Sequence, residues 1–183
     1  MKIDPKNPLS YARPELDQSQ SEQAVEFELI GKLNRIAAQD YPNDEKLSAR
    51  IKSYELAFRM QMSVPEALDM STESSETQQL YGIDNKTTEV YGRRLLASRR
   101  LAERGVRFIQ LYHRGWDHHG NVKGAMQTTS KLVDQGCGAL IKDLKRSGLW
   151  EDTLILWGAE FGRTPMAQGS GRDHHIKGFS VWF

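Results

Sequence analysis

All five histidines of this 183-residue chain lie between His113 and His175. Four of them form two adjacent pairs, and each pair follows an aspartate. The first group is Trp116-Asp117-His118-His119-Gly120; the second is Gly171-Arg172-Asp173-His174-His175. Between them stands Gly158-Ala159-Glu160-Phe161-Gly162-Arg163-Thr164-Pro165. Imidazole and carboxylate together suit zinc, manganese or iron, and with further oxygen donors magnesium or calcium. Asp117 and His119 alternate along an extended segment, so both can face one ion. Neighbouring side chains diverge, so each histidine pair is expected to give one ligand. That leaves His118 or His119, and His174 or His175, open at this point. Arg163 and Arg172 supply cations able to clamp a phosphate or sulfate oxygen. A divalent metal beside an arginine suits the hydrolysis of such an ester.

These groups need elements to position them. Behind Gly105, Val106-Arg107-Phe108-Ile109-Gln110-Leu111-Tyr112 is a short β-branched and aromatic run that predicts a strand. Residues 123–147 predict an amphipathic helix, with Met126, Val133, Cys137, Leu140 and Leu144 on one stripe. Thr153-Leu154-Ile155-Leu156-Trp157 has the continuous apolar character of a strand buried on both faces. Residues 158–177 predict a loop, and Gly178-Phe179-Ser180-Val181-Trp182-Phe183 another strand. A helix crossover between two strands implies a parallel pair. Residues 105–183 are therefore expected to form an α/β segment. Its candidate ligands lie on loops beyond strand ends, where open α/β sheets bind ligands.

Residues 1–104 predict a mainly helical cap or outer layer. An extended arm over 1–19 precedes a helix over 20–40, marked by Val25, Leu29, Leu33 and Ile36. Tyr41-Pro42-Asn43-Asp44 breaks it, with Asn43 or Asp44 as the next N-cap. A second helix follows through Leu47, Ile51, Tyr54, Leu56, Ala57 and Met60. Pro65 suits the first turn of a short helix, residues 69–86 a loop, and 87–104 an arginine-dense helix. Both parts are expected to form one domain. Its last apolar run has no cap, so the chain reads as truncated.

Composition narrows the function classes. Lys and Arg number 25 against 24 Asp and Glu, a net charge of +1, which does not support wholesale binding to nucleic acid or to an anionic membrane. No run of about 18 apolar residues suggests a membrane span. The start, Met1-Lys2-Ile3-Asp4-Pro5, lacks the apolar stretch of a signal peptide. A single cysteine, Cys137, excludes an internal disulfide and a cysteine-only metal site. The mean hydropathy of −0.62 is polar, but the apolar residues cluster enough to build a core. There is no Gly-x-Ser-x-Gly elbow, P-loop, His-Glu-x-x-His, or Cys/Ser-x-Pro-x-Arg stretch.

Each conspicuous residue also has a plainer role. Glu160 can be a solvated or capping residue, or simply pair with Arg163. Cys137 sits in an apolar stripe and reads as core. His113, at a strand end, suits a structural role as well as a functional one. Arg93-Arg94 and Arg99-Arg100 read as a solvated helix face.

Several stretches together resemble the bacterial family known as domain of unknown function 1501. They are Tyr54-Glu55-Leu56-Ala57-Phe58-Arg59-Met60-Gln61, Gly105-Val106-Arg107-Phe108, Gly115-Trp116-Asp117 with His119, and Asp143-Leu144-Lys145. The others are Trp157-Gly158, Glu160-Phe161-Gly162-Arg163-Thr164-Pro165, and Gly171-Arg172-Asp173-His174-His175. The resemblance extends to the alkaline phosphatase and sulfatase superfamily. It implies a three-layer sandwich around a parallel sheet, incomplete here, behind a helical N-terminal half. It implies Asp117, His119, Glu160 and His174 as ligands of a divalent ion (zinc, manganese, calcium or magnesium), ranking them above His118 and His175. Asp173 could equally orient a histidine. Glu160-Phe161 departs from the Asp-His pair of the wider superfamily. Members are expected to begin with an export signal and a strand bearing the nucleophile. The resemblance thus implies a central fragment of a periplasmic or secreted protein.

The expected activity is metal-dependent hydrolysis of a small-molecule or carbohydrate phosphate or sulfate ester, with Arg163 or Arg172 gripping the anion. The alternative is a non-catalytic, metal-braced module that binds a sulfated or phosphorylated ligand. A third reading takes residues 20–104 as a helical scaffold for a partner.

Overall fold

The computed structural model describes residues 19–41 and 44–183. The expected arm over 1–19 falls outside them except for Ser19, as does Asn43. The chain separates into two compact units, residues 1–69 and 70–183.

The first unit holds helices α1 (Gln20–Gln39) and α2 (Glu45–Leu68). Ser19 starts α1 with a reciprocal capping box. Its hydroxyl accepts from Glu22 N, and the Glu22 carboxylate accepts from Ser19 N. Asp44 caps α2 by accepting from Leu47 N at 2.9 Å. Phe27 of α1 stacks on Phe58 of α2, with centroids 3.8 Å apart. Pro65 does not open a separate helix; it lies inside α2, which runs on to Leu68.

The second unit is built on α4 (Glu89–Glu103) and α5 (Val122–Arg146), with the short α3 (Ser75–Leu80) beside them. Its core joins Tyr81, Ile83, Tyr91, Leu95 and Leu96 to Val133 and Ala139. α5 follows the predicted stripe from Val133 to Leu144, with Met126 exposed, and Cys137 packs against this core. Burial pushes the Cys137 thiol up to about 11, with Asp134 adding to the shift.

Arg99 and Arg100 correct the sequence reading, because both are buried rather than solvated. Tyr91, Leu95 and Arg99 follow at intervals of four, which places Arg99 on the core face of α4. Its charge is met there. Arg99 Nη2 lies 2.5 Å from Glu73 Oε2, and Arg99 Nε lies 3.0 Å from Asp143 Oδ2. Arg100 also pairs with Glu73. Asp143 receives Tyr81 Oη at 3.1 Å and Arg146 Nη2 at 2.7 Å.

The expected parallel sheet and three-layer sandwich are not formed. The described residues are mostly helical and hold one two-stranded antiparallel sheet, β1 (Gly162–Gln168) with β2 (Gly171–His175). Neither 106–112 nor 153–157 enters a strand ladder, although Trp157 makes a single antiparallel bridge to Trp182. Phe108 is 91% exposed and Leu154 79%. An apolar run states a preference for extended backbone, but a strand exists only where a partner supplies the hydrogen bonds.

The two strands arise instead inside the segment expected to be a loop. Gly169-Ser170 closes a two-residue turn between Gln168 and Gly171, which face each other in register. Gly169 takes φ +56, a conformation that glycine accepts without strain. Among the described residues, no helix is long and apolar enough to cross a membrane.

Candidate metal centre

The β1–β2 hairpin is irregular where it matters. Arg163 pairs with His174, but the next pair is Ala167 with Arg172, so β1 carries extra residues. Pro165 sits in that bulge and has no N–H to donate. Thr164 fills the broken ladder with its side chain. Its hydroxyl donates to Met166 O at 2.9 Å and accepts from Asp173 N at 3.2 Å. Bulges of this kind re-aim side chains beside functional sites.

The segment leading into α5 is laid across this hairpin. Arg172 N donates to His118 O at 3.0 Å, and Val122 N donates to Ser170 O at 3.0 Å. Asn121 N donates to Ser170 Oγ at 2.8 Å. Ser170 therefore satisfies backbone donors at the start of α5, where Asn121 makes no side-chain cap. Gly171 permits the contact. A Cβ there would stand 2.1 Å from the His119 carbonyl carbon.

This crossing brings Asp117 and His119 to His174. His174 Nε2 lies 2.8 Å from Asp117 Oδ1, and His119 Nε2 lies 3.0 Å from the same oxygen. The two Nε2 atoms are 3.0 Å apart. Among the described residues, this is the one group of three His, Cys, Asp or Glu side chains whose donor atoms converge within 4.8 Å. Bonds of about 2.0–2.1 Å to one ion put neighbouring donors roughly 2.9 Å apart at right angles, or roughly 3.3 Å in a tetrahedron. The observed spacings fit one ion. Two imidazoles with one carboxylate suit zinc, manganese or iron better than magnesium or calcium, which favour oxygen.

All three side chains face solvent, with exposures of 58% for Asp117, 42% for His119 and 41% for His174. The hydrogen bond from His174, together with the charges of His119, His174 and Arg163, holds the Asp117 carboxyl below its usual range. His119 is held above the usual imidazole value, first by its hydrogen bond to Gln168 and then by Asp117. Phe161 lies against His174, with centroids 4.5 Å apart.

Arg163 stands beside the trio. Its Nη2 is 3.3 Å from Asp117 Oδ1 and 3.1 Å from Glu160 Oε1. Glu160 is thus brought to Arg163 and lies outside the three converging donors. A hydrogen bond to its own backbone, followed by Arg163, lowers its carboxyl from the usual value.

The remaining candidates turn elsewhere. His118 offers its carbonyl to Arg172, and its ring lies 6.4 Å from that of Trp116. Asp173 accepts from the His174 backbone N–H at 2.7 Å, a hold on the main chain rather than on the ring. His175 alternates with His174 along β2 and lies beside Gly178. Arg172 contributes its backbone to the crossing. His113 accepts from Trp116 Nε1 at 3.1 Å and meets the edge of Tyr91. Burial, then Arg94, lowers its pKa from the usual imidazole value.

Gln168 is the site residue that the sequence did not single out. Its Oε1 lies 2.7 Å from His119 Nδ1. The signal available was the Gly169-Ser170 turn, which places Gln168 at a hairpin end.

Hairpin and crossing loop together define a cluster of two histidines and one carboxylate with an arginine alongside. The chain that carries it belongs to the family described as Protein of unknown function (DUF1501), whose family model matches residues 2–183. No curated protein and no solved structure matches it.

Proposed function

We propose that Asp117, His119 and His174 hold one divalent metal ion, and that the protein is a metal-dependent hydrolase of phosphate or sulfate esters. The observation that carries this reading is the convergence of three donor atoms within 3.0 Å of one another, with a guanidinium 3.3 Å from the shared carboxylate oxygen. A metal bound there would supply Lewis acidity and a water of lowered pKa. Arg163 would bind a non-bridging oxygen of the ester through Nη2, exchanging its contact with Glu160 for the anion. Phe161 limits the rotation of the His174 ring. The open face of the site admits a small-molecule or carbohydrate ester. Zinc, manganese and iron are the metals that the donor set favours. A relation to the alkaline phosphatase and sulfatase superfamily belongs to the same proposal and rests on the sequence resemblance alone.

A second reading, a metal-braced binding module without turnover, draws on a specific observation. The hydroxyls of Thr164 and Ser170 near the site are both engaged by backbone groups. The test is turnover of nitrophenyl phosphate and nitrophenyl sulfate with zinc or manganese, by the protein and by its H119A/H174A variant. Metal-dependent turnover that falls to background in the variant is expected. Equal turnover by both would overturn the assignment. Metal binding with no ester turned over would favour the second reading.

A further inference from the structure

We infer that Gln168 is a positioning residue: it holds His119 in the tautomer and ring orientation that leave Nε2 free to bind a metal. The inference rests on the metal-site reading above and assigns a role to a residue outside the ligand set.

Gln168 Oε1 lies 2.7 Å from His119 Nδ1. An amide oxygen only accepts, so Nδ1 must carry the hydrogen. In a neutral imidazole the other nitrogen then has a lone pair and no hydrogen. That other nitrogen, Nε2, is the atom 3.0 Å from both Asp117 Oδ1 and His174 Nε2. The bond to Gln168 thus selects the nitrogen that the site needs and fixes the plane of the ring. Outer partners of this kind orient metal-binding histidines and raise their basicity.

The placement of Gln168 has a structural cause. It ends β1 directly opposite Gly171, the residue on which the His119 backbone rests. The hairpin therefore holds His119 twice, by its backbone at Gly171 and by its ring at Gln168. The same hairpin carries His174 on β2. Two ligands from segments 55 residues apart are thereby referred to one rigid turn. The Gln168 side chain is exposed, so it contributes little to a core, and its loss should leave the fold intact.

The reverse orientation of the amide is chemically distinct. An amide NH₂ directed at Nδ1 would force the hydrogen onto Nε2 and close that nitrogen to metal. An ionised glutamate at this position can only accept, so it separates the two arrangements.

Zinc binding by calorimetry and the visible spectrum of the cobalt(II)-loaded protein should be measured for the protein and for Q168L, Q168E and H174A. The expected result is a roughly 10–100-fold loss of zinc affinity in Q168L. Its metal-free melting temperature should stay unchanged and its cobalt spectrum should be altered. Q168E should bind zinc at least as tightly as the wild type and keep the wild-type spectrum. Wild-type affinity and spectrum in Q168L, with binding abolished in H174A, would overturn the role of Gln168 and leave the metal site standing. Equal weakening of Q168E and Q168L would overturn the tautomer assignment. No zinc binding by the wild type, or binding untouched by H174A, would overturn the metal-site reading and this inference with it.

Discussion

The second unit contains two clusters of charged side chains that use similar residues to opposite ends. Around Asp143 the groups are buried and closed, except for Arg146, which reaches the carboxylate from solvent. Tyr81, Arg99 and Arg146 meet its carboxylate, and Glu73 answers Arg99 and Arg100. Around Asp117 the groups are open. One carboxylate oxygen faces two imidazole nitrogens and a guanidinium, at the edge of solvent. In the first cluster each carboxylate is met by cationic or hydroxyl donors, so no further cation is required. In the second, two imidazole nitrogens and a carboxylate oxygen converge on one point, and with both rings neutral and their Nε2 atoms unprotonated a cation is the group that satisfies them together. Burial and convergence, more than residue type, separate a brace from a binding site.

The closed cluster depends most on Asp143. Its side chain is 3% exposed and holds Tyr81, Arg99 and Arg146. Asp143→Ala takes the acceptor from the buried Tyr81 hydroxyl and one of three carboxylates from Arg99, which keeps Glu73 and Glu103. A loss of about 3 kcal/mol is expected, the upper end of the cost of leaving a buried hydrogen-bonding group without its partner. Urea unfolding followed by circular dichroism measures it. The same experiment on His174→Ala without metal should give a midpoint close to wild type. If the two variants lose equal stability, both clusters are braces and the distinction fails.

How far the sequence revealed these two clusters differs for physical reasons. Helix α5 was legible because its stripe of Met126, Val133, Cys137, Leu140 and Leu144 repeats locally, and local periodicity is what a helix requires. The buried role of Arg99 was not. Its partners Glu73 and Asp143 come from other elements, and an arginine pair on a helix reads as solvated until they are in place. The spacing behind Tyr91 and Leu95 was the available hint. For the metal cluster, the donor types at Asp117, His119 and His174 stood out. Their setting did not, because Gly162–His175 is polar and rich in glycine and so reads as loop. The Gly169-Ser170 turn was the one local sign of a hairpin. The runs at 106–112 and 153–157 misled in the opposite sense. Their composition favours extended backbone, but pairing is decided by residues far away in sequence, and a parallel sheet did not follow.

Metal should stabilise the open cluster and leave the closed one untouched. Zinc at a hundred times its dissociation constant, binding only the folded state, adds about 2.7 kcal/mol of stability. The second unit's melting transition should therefore rise with zinc in the wild type and stay fixed in H174A. Asp143 lies outside the converging donors, so Asp143→Asn should keep the zinc-dependent rise from its own lower starting point. A zinc-independent melting temperature in the wild type would remove the reason for treating the open cluster as a site.

The smallest expected effect concerns acid, and it belongs to the closed cluster. Burial on its own would raise the Glu73 carboxyl, but hydrogen bonds from Arg100 and Arg99 outweigh it and hold the group below its usual 4.5. The folded state therefore binds fewer protons than the unfolded chain just below pH 4.5. The stabilisation is fully present above that value and is lost as pH falls through the lower, folded-state value. Glu73→Gln should flatten this acid limb in a plot of unfolding free energy against pH, while lowering stability at neutral pH. The loss at neutral pH should be smaller than for Asp143→Ala, since glutamine keeps the volume and one carbonyl acceptor for Arg99 and Arg100, whereas alanine removes the group altogether. An acid limb of unchanged steepness in Glu73→Gln would show that the pairing with Arg99 and Arg100 adds nothing to stability. The closed cluster would then be charge held in place by the fold, and not charge that holds the fold.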